Sequence, residues 1–250
     1  VAELVSPEAG AAHVWWARRL DASDRHAGLL DDTERQRWVA YRRDEDRERF
    51  LVGCALAKTV LAGYAGLRPA DVRFDRTCPR CGRPHGKPVI KGSALSHSVT
   101  HSGDLVAVAV ARTPVGVDVE QLDGRARPLG GDGDTQALAR LVLADGEQAT
   151  LAAVHPSART REFLAAWTRK EAVTKATGDG LRVSFRDVVI VTDEGTPRLV
   201  AWPYPQAPDS VSLMDLEAAP GYVAALAVLG RCDTVRARDG SALLAAPAPA

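Results

Sequence analysis

The sequence predicts an α+β fold built as two similar lobes. Three observations carry this. Apolar residues recur at helical spacing over two long stretches, about Asp44 to Gly66 and about Thr160 to Thr177. Two strand patterns, GDLVAVAVA from Gly103 and GYVAALAVL from Gly221, resemble each other. Each follows a long helix and an irregular link, so the two halves of the chain repeat one order of elements. The lobe boundary falls near Thr113, giving an N-terminal lobe over 1–112 and a C-terminal lobe over 113–250. A cleft between lobes is a usual place for a ligand.

The elements follow in chain order. DTERQRWVAYRR, from Asp32 to Arg43, predicts a short helix with Asp32 or Thr33 as its N-cap and acids at its positive end. Phe50, Cys54, Ala57, Leu61 and Ala65 mark the long helix, which Gly66 stops. Val72 to Asp75 reads as a short strand, and CPRCGRPHGKP as a loop too rich in proline and glycine to stay regular. Val106, Val108 and Val110 alternate with Ala107, Ala109 and Ala111, a strand with one bulky and one small face. The Gly/Asp/Pro-rich stretch 123–134 predicts a mobile loop, and Thr135 a cap for the helix after it. Asp145 with Gln148 three residues on reads as a capping box. The helix from Thr160 ends before GDG. Strands are expected over Val188–Val191, Arg198–Trp202, Val211–Glu217 and Tyr222–Leu229, and a disordered tail from about Ala245.

The 250 residues, 46% of them apolar, suffice for a core without disulfide staples. Acidic and basic residues balance at 32 each, which provides no global attraction to nucleic acid or to anionic membrane. No apolar run is long enough to span a bilayer, and no basic flank precedes an apolar signal core, so a cytoplasmic location is expected. The four cysteines, Cys54, Cys78, Cys81 and Cys232, are too few and too uneven for a disulfide framework. Cys78 and Cys81 form CPRC, half of a zinc knuckle, with His85 and then His97 or His101 as the nearest further ligands. The alternative is a tight turn carrying two thiols.

The chemistry concentrates in two segments. In LVAVAVARTPVGVDVE, Asp118 and Glu120 lie two apart on a strand and project to one side. In WTRKEAVTK, Glu171 and Lys175 lie four apart on a helix, about 40° around its axis, while Lys170 lies about 100° from Glu171. Carboxylates with a nearby lysine suit a hard divalent cation and the phosphate oxygens of a substrate. A simpler reading, an exposed strand end and an ordinary helical ion pair, stands beside it. Only five lysines occur, Lys58, Lys87, Lys91, Lys170 and Lys175, and three of them fall in the motif segments.

These segments resemble those of the Sfp-type 4′-phosphopantetheinyl transferases. GKP at 86–88, THSGDLVAVAVARTPVGVDVE at 100–120 and WTRKEAVTKATGDGL at 167–181 carry the resemblance, and RDEDRERFLVG from Arg43 is similar to the family's N-terminal basic helix. The resemblance implies two α+β lobes in a pseudo-twofold arrangement with the active site between them. It implies a Mg²⁺-dependent transfer of 4′-phosphopantetheine from coenzyme A to a serine of apo acyl or peptidyl carrier proteins, releasing 3′,5′-ADP. By the same resemblance Asp118, Glu120 and Glu171 hold the metal, Lys175 contacts the pyrophosphate, and Glu171 is the candidate base. Thr100 and His101 hold the 3′-phosphate of coenzyme A, with Arg37, Arg42 and Arg49 as further candidates, and Lys87 lies near the adenine end. Where the family has Ser-His-Ser before Gly-Asp, this chain has Thr100-His101-Ser102, although a literal Ser-His-Ser stands at 96–98. A monomer is expected, and the charge balance and the lack of a long apolar run predict neither nucleic acid nor membrane as a partner. Two competing readings remain: a non-catalytic module that binds coenzyme A or a carrier protein, and a zinc-dependent nucleic-acid binder. The second lacks another cysteine pair and a basic balance.

Overall fold

A computed structural model describes residues 4–122 and 135–246, the side chains of Thr135 and Leu181 excepted. The expected mobile loop at 123–134, the Thr135 cap and the tail beyond residue 246 lie outside what it describes. The chain forms two compact units, residues 1–112 with 233–250, and residues 113–232.

The first unit contains β1 (Ala11–Arg18), α1 (Asp24–Ala27), α2 (Asp32–Ala40), α3 (Asp44–Ala65), β2 (Ser96–Ser102) and β3 (Leu105–Ala111). Its sheet has the order β2-β3-β1-β9, where β9 (Thr234–Asp239) runs parallel to β1 and the other neighbours are antiparallel. The helix α7 (Gly240–Ala245) follows β9 and buries Leu244 in the core of α3 and the sheet, beside Trp15, Leu56, Leu61, Val106 and Val108. The chain from Asp233 onward, which the sequence assigned to the C-terminal lobe, therefore belongs with the first unit. The edge of β1 offers unpaired backbone groups that β9 satisfies. All of β3 is buried, on its valine and its alanine face alike.

The second unit contains β4 (Val115–Gln121), α4 (Thr135–Val142), α5 (Asp145–Ala153), α6 (Arg159–Thr177), β5 (Val189–Asp193), β6 (Thr196–Ala201), β7 (Val211–Asp215) and β8 (Tyr222–Leu229). Its antiparallel sheet runs β4-β8-β7, with β5 and β6 as a separate hairpin. Ala172, Val173 and Ala176 of α6 pack on β7 and β8, while Phe163, Leu164 and Trp167 pack with α4, Phe185 and Val223. No helix among the described residues is long and apolar enough to cross a membrane.

Both long helices end as the glycines predict, with Gly66 at φ +65° and Gly178 at φ +84° in the left-handed region. The caps differ from expectation by one residue. Asp31, rather than Asp32 or Thr33, accepts from Glu34 N at 2.8 Å. The second box is closed by Glu147, whose Oε2 accepts from Ala144 N at 2.7 Å. Each of these glutamates also meets a fully buried lysine of its unit's long helix. Lys58 pairs with Glu34 at 2.6 Å and donates to Leu29 O at 2.6 Å. Lys170 pairs with Glu147 at 2.7 Å and donates to the carbonyls of Phe185 and Val188 at 2.8 and 2.6 Å. A buried ammonium is tolerated only when its donors are satisfied in this way, and it fixes which glutamate closes the cap. The same device in both units strengthens the internal repetition seen in the strands.

The expected strand over Val72–Asp75 does not form. Pro69–Asp71 makes a single 3-10 turn, and only Asp75 bridges, to Val89. Beyond Asp75 the chain enters the proline-rich loop, whose prolines cannot donate to a ladder.

Candidate active site

On β4, Gly116, Asp118 and Glu120 share the face turned toward α6. The approach is backbone to backbone. A Cβ built on Gly116 would lie 1.9 Å from Ala172 O and 2.5 Å from Ala176 N. Glycine on the strand, with alanines four apart on the helix, is what lets the two elements lie this close. Two residues beyond Gly116, the buried Asp118 then comes level with the polar edge of α6. Lys175 Nζ donates to Asp118 Oδ1 at 2.6 Å and to Val117 O at 3.3 Å.

Glu171 sits one turn before Lys175, half-buried. Burial pushes its carboxyl above the ordinary range; Lys175 works against this rise and Asp118 adds to it. Burial alone would lower the Lys175 ammonium, but Asp118, Glu171 and Glu120 together carry it above its usual value. Asp118, Glu120, Glu171 and Lys175 are thus brought within electrostatic reach of one another. Three carboxylates against one ammonium leave an excess of negative charge in a partly dehydrated place, a donor set that fits a hard divalent cation. Lys170 does not join them, since its three partners, Glu147 and the carbonyls of Phe185 and Val188, hold it in the core.

In the first unit, His97, Val99 and His101 alternate onto one face of β2 and Thr100 onto the other. Val99 meets α3 at Gly53. His101 is exposed on that helix-facing side, whereas Thr100 is buried, so the structure does not bring these two side chains together. Arg49, near the start of α3, donates to Gly103 O at 2.7 Å and to Asp46 Oδ1 at 2.6 Å, which ties it to the turn just after His101. Arg42 is exposed, and exposed Arg37 donates to Pro84 O at 3.3 Å. Burial brings Lys87 down to about 8. Its charge reaches His97, which is buried against the Phe74 ring at 4.8 Å and pushed down to about 3, chiefly by burial.

The sequence reading missed the positioning role of Gly116. An isolated glycine inside a strand pattern, two residues before an acid, was the available signal.

A family description of the 4′-phosphopantetheinyl transferase superfamily (ACPS) matches residues 114–227, the span from β4 through α6 to β8. The chain is 30% identical over 209 residues to the 4′-phosphopantetheinyl transferase HetI of Nostoc sp., covering 82% of this chain and 80% of that protein. It is also 30% identical over 171 residues to a 4′-phosphopantetheinyl transferase of Bacillus subtilis, covering 67% and 70% respectively. Among solved structures, it is similar to a holo-(acyl-carrier-protein) synthase from Bacillus anthracis in complex with CoA (3′,5′-ADP). That likeness has 23% identity and a TM-score of 0.38, over 47% of this chain and 95% of that one. With the carboxylates of β4 and the Glu-Lys pair of α6 inside the matched span, and a relative 30% identical over four-fifths of its length, this chain belongs to the 4′-phosphopantetheinyl transferase superfamily.

Proposed function

We propose that this chain transfers 4′-phosphopantetheine from coenzyme A to a serine of apo acyl or peptidyl carrier proteins in a Mg²⁺-dependent reaction. The observation that carries the reading is the cluster in which Lys175, held by Asp118, is opposed by three carboxylates. Asp118, Glu120 and Glu171 are the residues that would hold the ion. When bound, Mg²⁺ would supply charge stabilisation at the pyrophosphate.

The chain's own groups do the rest. The carrier's serine Oγ forms a bond to the β-phosphorus, the bond from that phosphorus to the bridging oxygen breaks, and 3′,5′-ADP leaves. Glu171, at the half-buried edge of α6, takes the serine proton. Lys175 offsets the charge that develops on the leaving phosphate, and its tie to Asp118 keeps it oriented before substrate arrives. His101 reads the 3′-phosphate, with Arg49 anchored to the adjoining turn. A cytoplasmic monomer fits the same reading, and none of the four cysteines is in a disulfide.

The test is intact-mass spectrometry of a panel of apo acyl and peptidyl carrier proteins incubated with the chain, coenzyme A and Mg²⁺. A gain of one phosphopantetheine that EDTA abolishes, and that Glu171→Gln abolishes while circular dichroism stays unchanged, is expected. Full activity of Glu171→Gln would remove Glu171 from the mechanism. Calorimetric binding of coenzyme A with no transfer to any carrier would favour a non-catalytic binding module.

A further inference from the structure

Outside the carboxylate cluster, one group of soft and borderline ligands stands apart among the described residues. Cys78, Cys81 and His85 present ligand atoms that all lie within 4.8 Å of one another, and Cys81 Sγ is 2.9 Å from His85 Nε2. Neither thiol is in a disulfide. His97 and His101, the other histidines that the spacing offered, are not in the group, because His97 is buried against Phe74 and His101 stands near the far end of β2.

The loop is folded so that the three residues converge. Gly82, immediately after Cys81, has φ +71°, and its N–H donates back to Cys78 O at 2.8 Å, which turns the chain tightly between the two cysteines. Cys78 N donates to Arg83 O at 2.8 Å, and Gly86 N to Arg76 O at 2.7 Å. A Cβ on Gly86 would meet Thr77 O at 2.8 Å and Cys78 Cα at 3.1 Å, so the segment carrying His85 crosses the Cys78 backbone where only glycine fits. The loop has almost no apolar anchor of its own: Cys78 is buried, while residues 79 to 85 are exposed.

We propose that Cys78, Cys81 and His85 bind one Zn²⁺ ion, which fastens the loop between Asp75 and Val89 and with it the Gly86-Lys87-Pro88 segment. Two thiolates and an imidazole are the ligand chemistry of zinc rather than of magnesium or calcium. With Zn–S near 2.3 Å and Zn–N near 2.0 Å, ligand atoms on a tetrahedral ion sit roughly 3.5–3.8 Å apart, which small side-chain rotations reach from the present spread. Two thiol protons leave to solvent on binding. Because Cys81 and His85 are exposed, the fourth position opens to water. This ion is separate from the one at the carboxylates and does not depend on the transferase reading.

The test is metal analysis of the full chain, purified under reductant, then stripped with chelator and reloaded with Zn²⁺ or Co²⁺. Wild type should carry close to one zinc per chain, and the cobalt form should show thiolate-to-metal charge transfer. Cys81→Ser and His85→Ala alter exposed side chains and should lose most of the zinc, whereas Cys232→Ser and Glu171→Gln should keep it. Trypsin should cut after Arg80 faster in the stripped protein than in the reloaded one. Zinc retained by both Cys81→Ser and His85→Ala, zinc lost only by Glu171→Gln, or a Cys78–Cys81 disulfide in place of bound metal would each overturn the proposal.

Discussion

Replacing Gly116 by alanine adds one methyl group where strand and helix backbones already touch. The added carbon would sit 1.9 Å from Ala172 O and 2.5 Å from Ala176 N, atoms that belong to a continuous helix and cannot rotate away. Restoring an ordinary 3.4 Å contact requires α6 to retreat by about 1.5 Å, the difference between the two distances. Overpacking a core by one methylene costs about 1–3 kcal/mol, and the rigid neighbours here place the cost near 3 kcal/mol. For a chain of this length each kcal/mol lowers Tm by about 2–4 °C, so a fall of roughly 6–12 °C is expected. The functional effect should be larger. Ala172 and Ala176 flank Glu171 and Lys175 on α6, so the retreat opens the 2.6 Å bond between Lys175 and Asp118. A misplacement near 1 Å can cost about 10²-fold in rate. The assay is thermal denaturation by circular dichroism together with kcat for carrier modification, read beside Gly146→Ala in α5. A Cβ at Gly146 meets nothing within 4 Å, and that variant should be neutral or slightly stabilised. If Gly116→Ala keeps wild-type Tm and kcat, close backbone approach is not what positions the cluster.

Three further outcomes follow from the same structure. Lys170→Met should destabilise by about 3–5 kcal/mol, because Glu147 and the carbonyls of Phe185 and Val188 lose a common buried donor; an unchanged urea midpoint would refute this. His97, which faces Lys87 and Arg76 and is pushed down to about 3, stays neutral in the fold while the unfolded chain takes up a proton below about 6.5. Its contribution is therefore absent above that pH and costs up to about 1.4 kcal/mol of stability per unit as pH falls toward the folded value. His97→Gln should flatten this acid limb in urea titrations, and curves parallel to wild type would exclude it. His101→Ala should raise KM for coenzyme A more than KM for its dephospho form; equal effects would mean that His101 does not read the 3′-phosphate.

Much of the site was legible because its signals are local. Asp118 and Glu120 share a face through the period of the strand, and Glu171 and Lys175 through the period of the helix, so each pair could be read before either element was placed. Gly66 and Gly178 likewise stop their helices through a backbone conformation that needs no distant partner. Several elements left weaker traces. β1, AAHVWWAR, is buried through most of its length and alternates poorly, β2 is largely polar, and β9 is a short exposed strand that exists only because β1 has an open edge.

The sequence by itself determined the α+β class and the two long helices, and it singled out the residues proposed to hold metal and phosphate, since period and chemical type are properties of neighbours along the chain. Only the tertiary structure decided that the chain after Asp233 returns to the first unit, and that Lys170 is a core cation while Lys175 faces Asp118. Those outcomes depend on desolvation and on backbone contacts between segments tens of residues apart, where burying a charge or seating a strand edge is settled by partners that no local pattern contains.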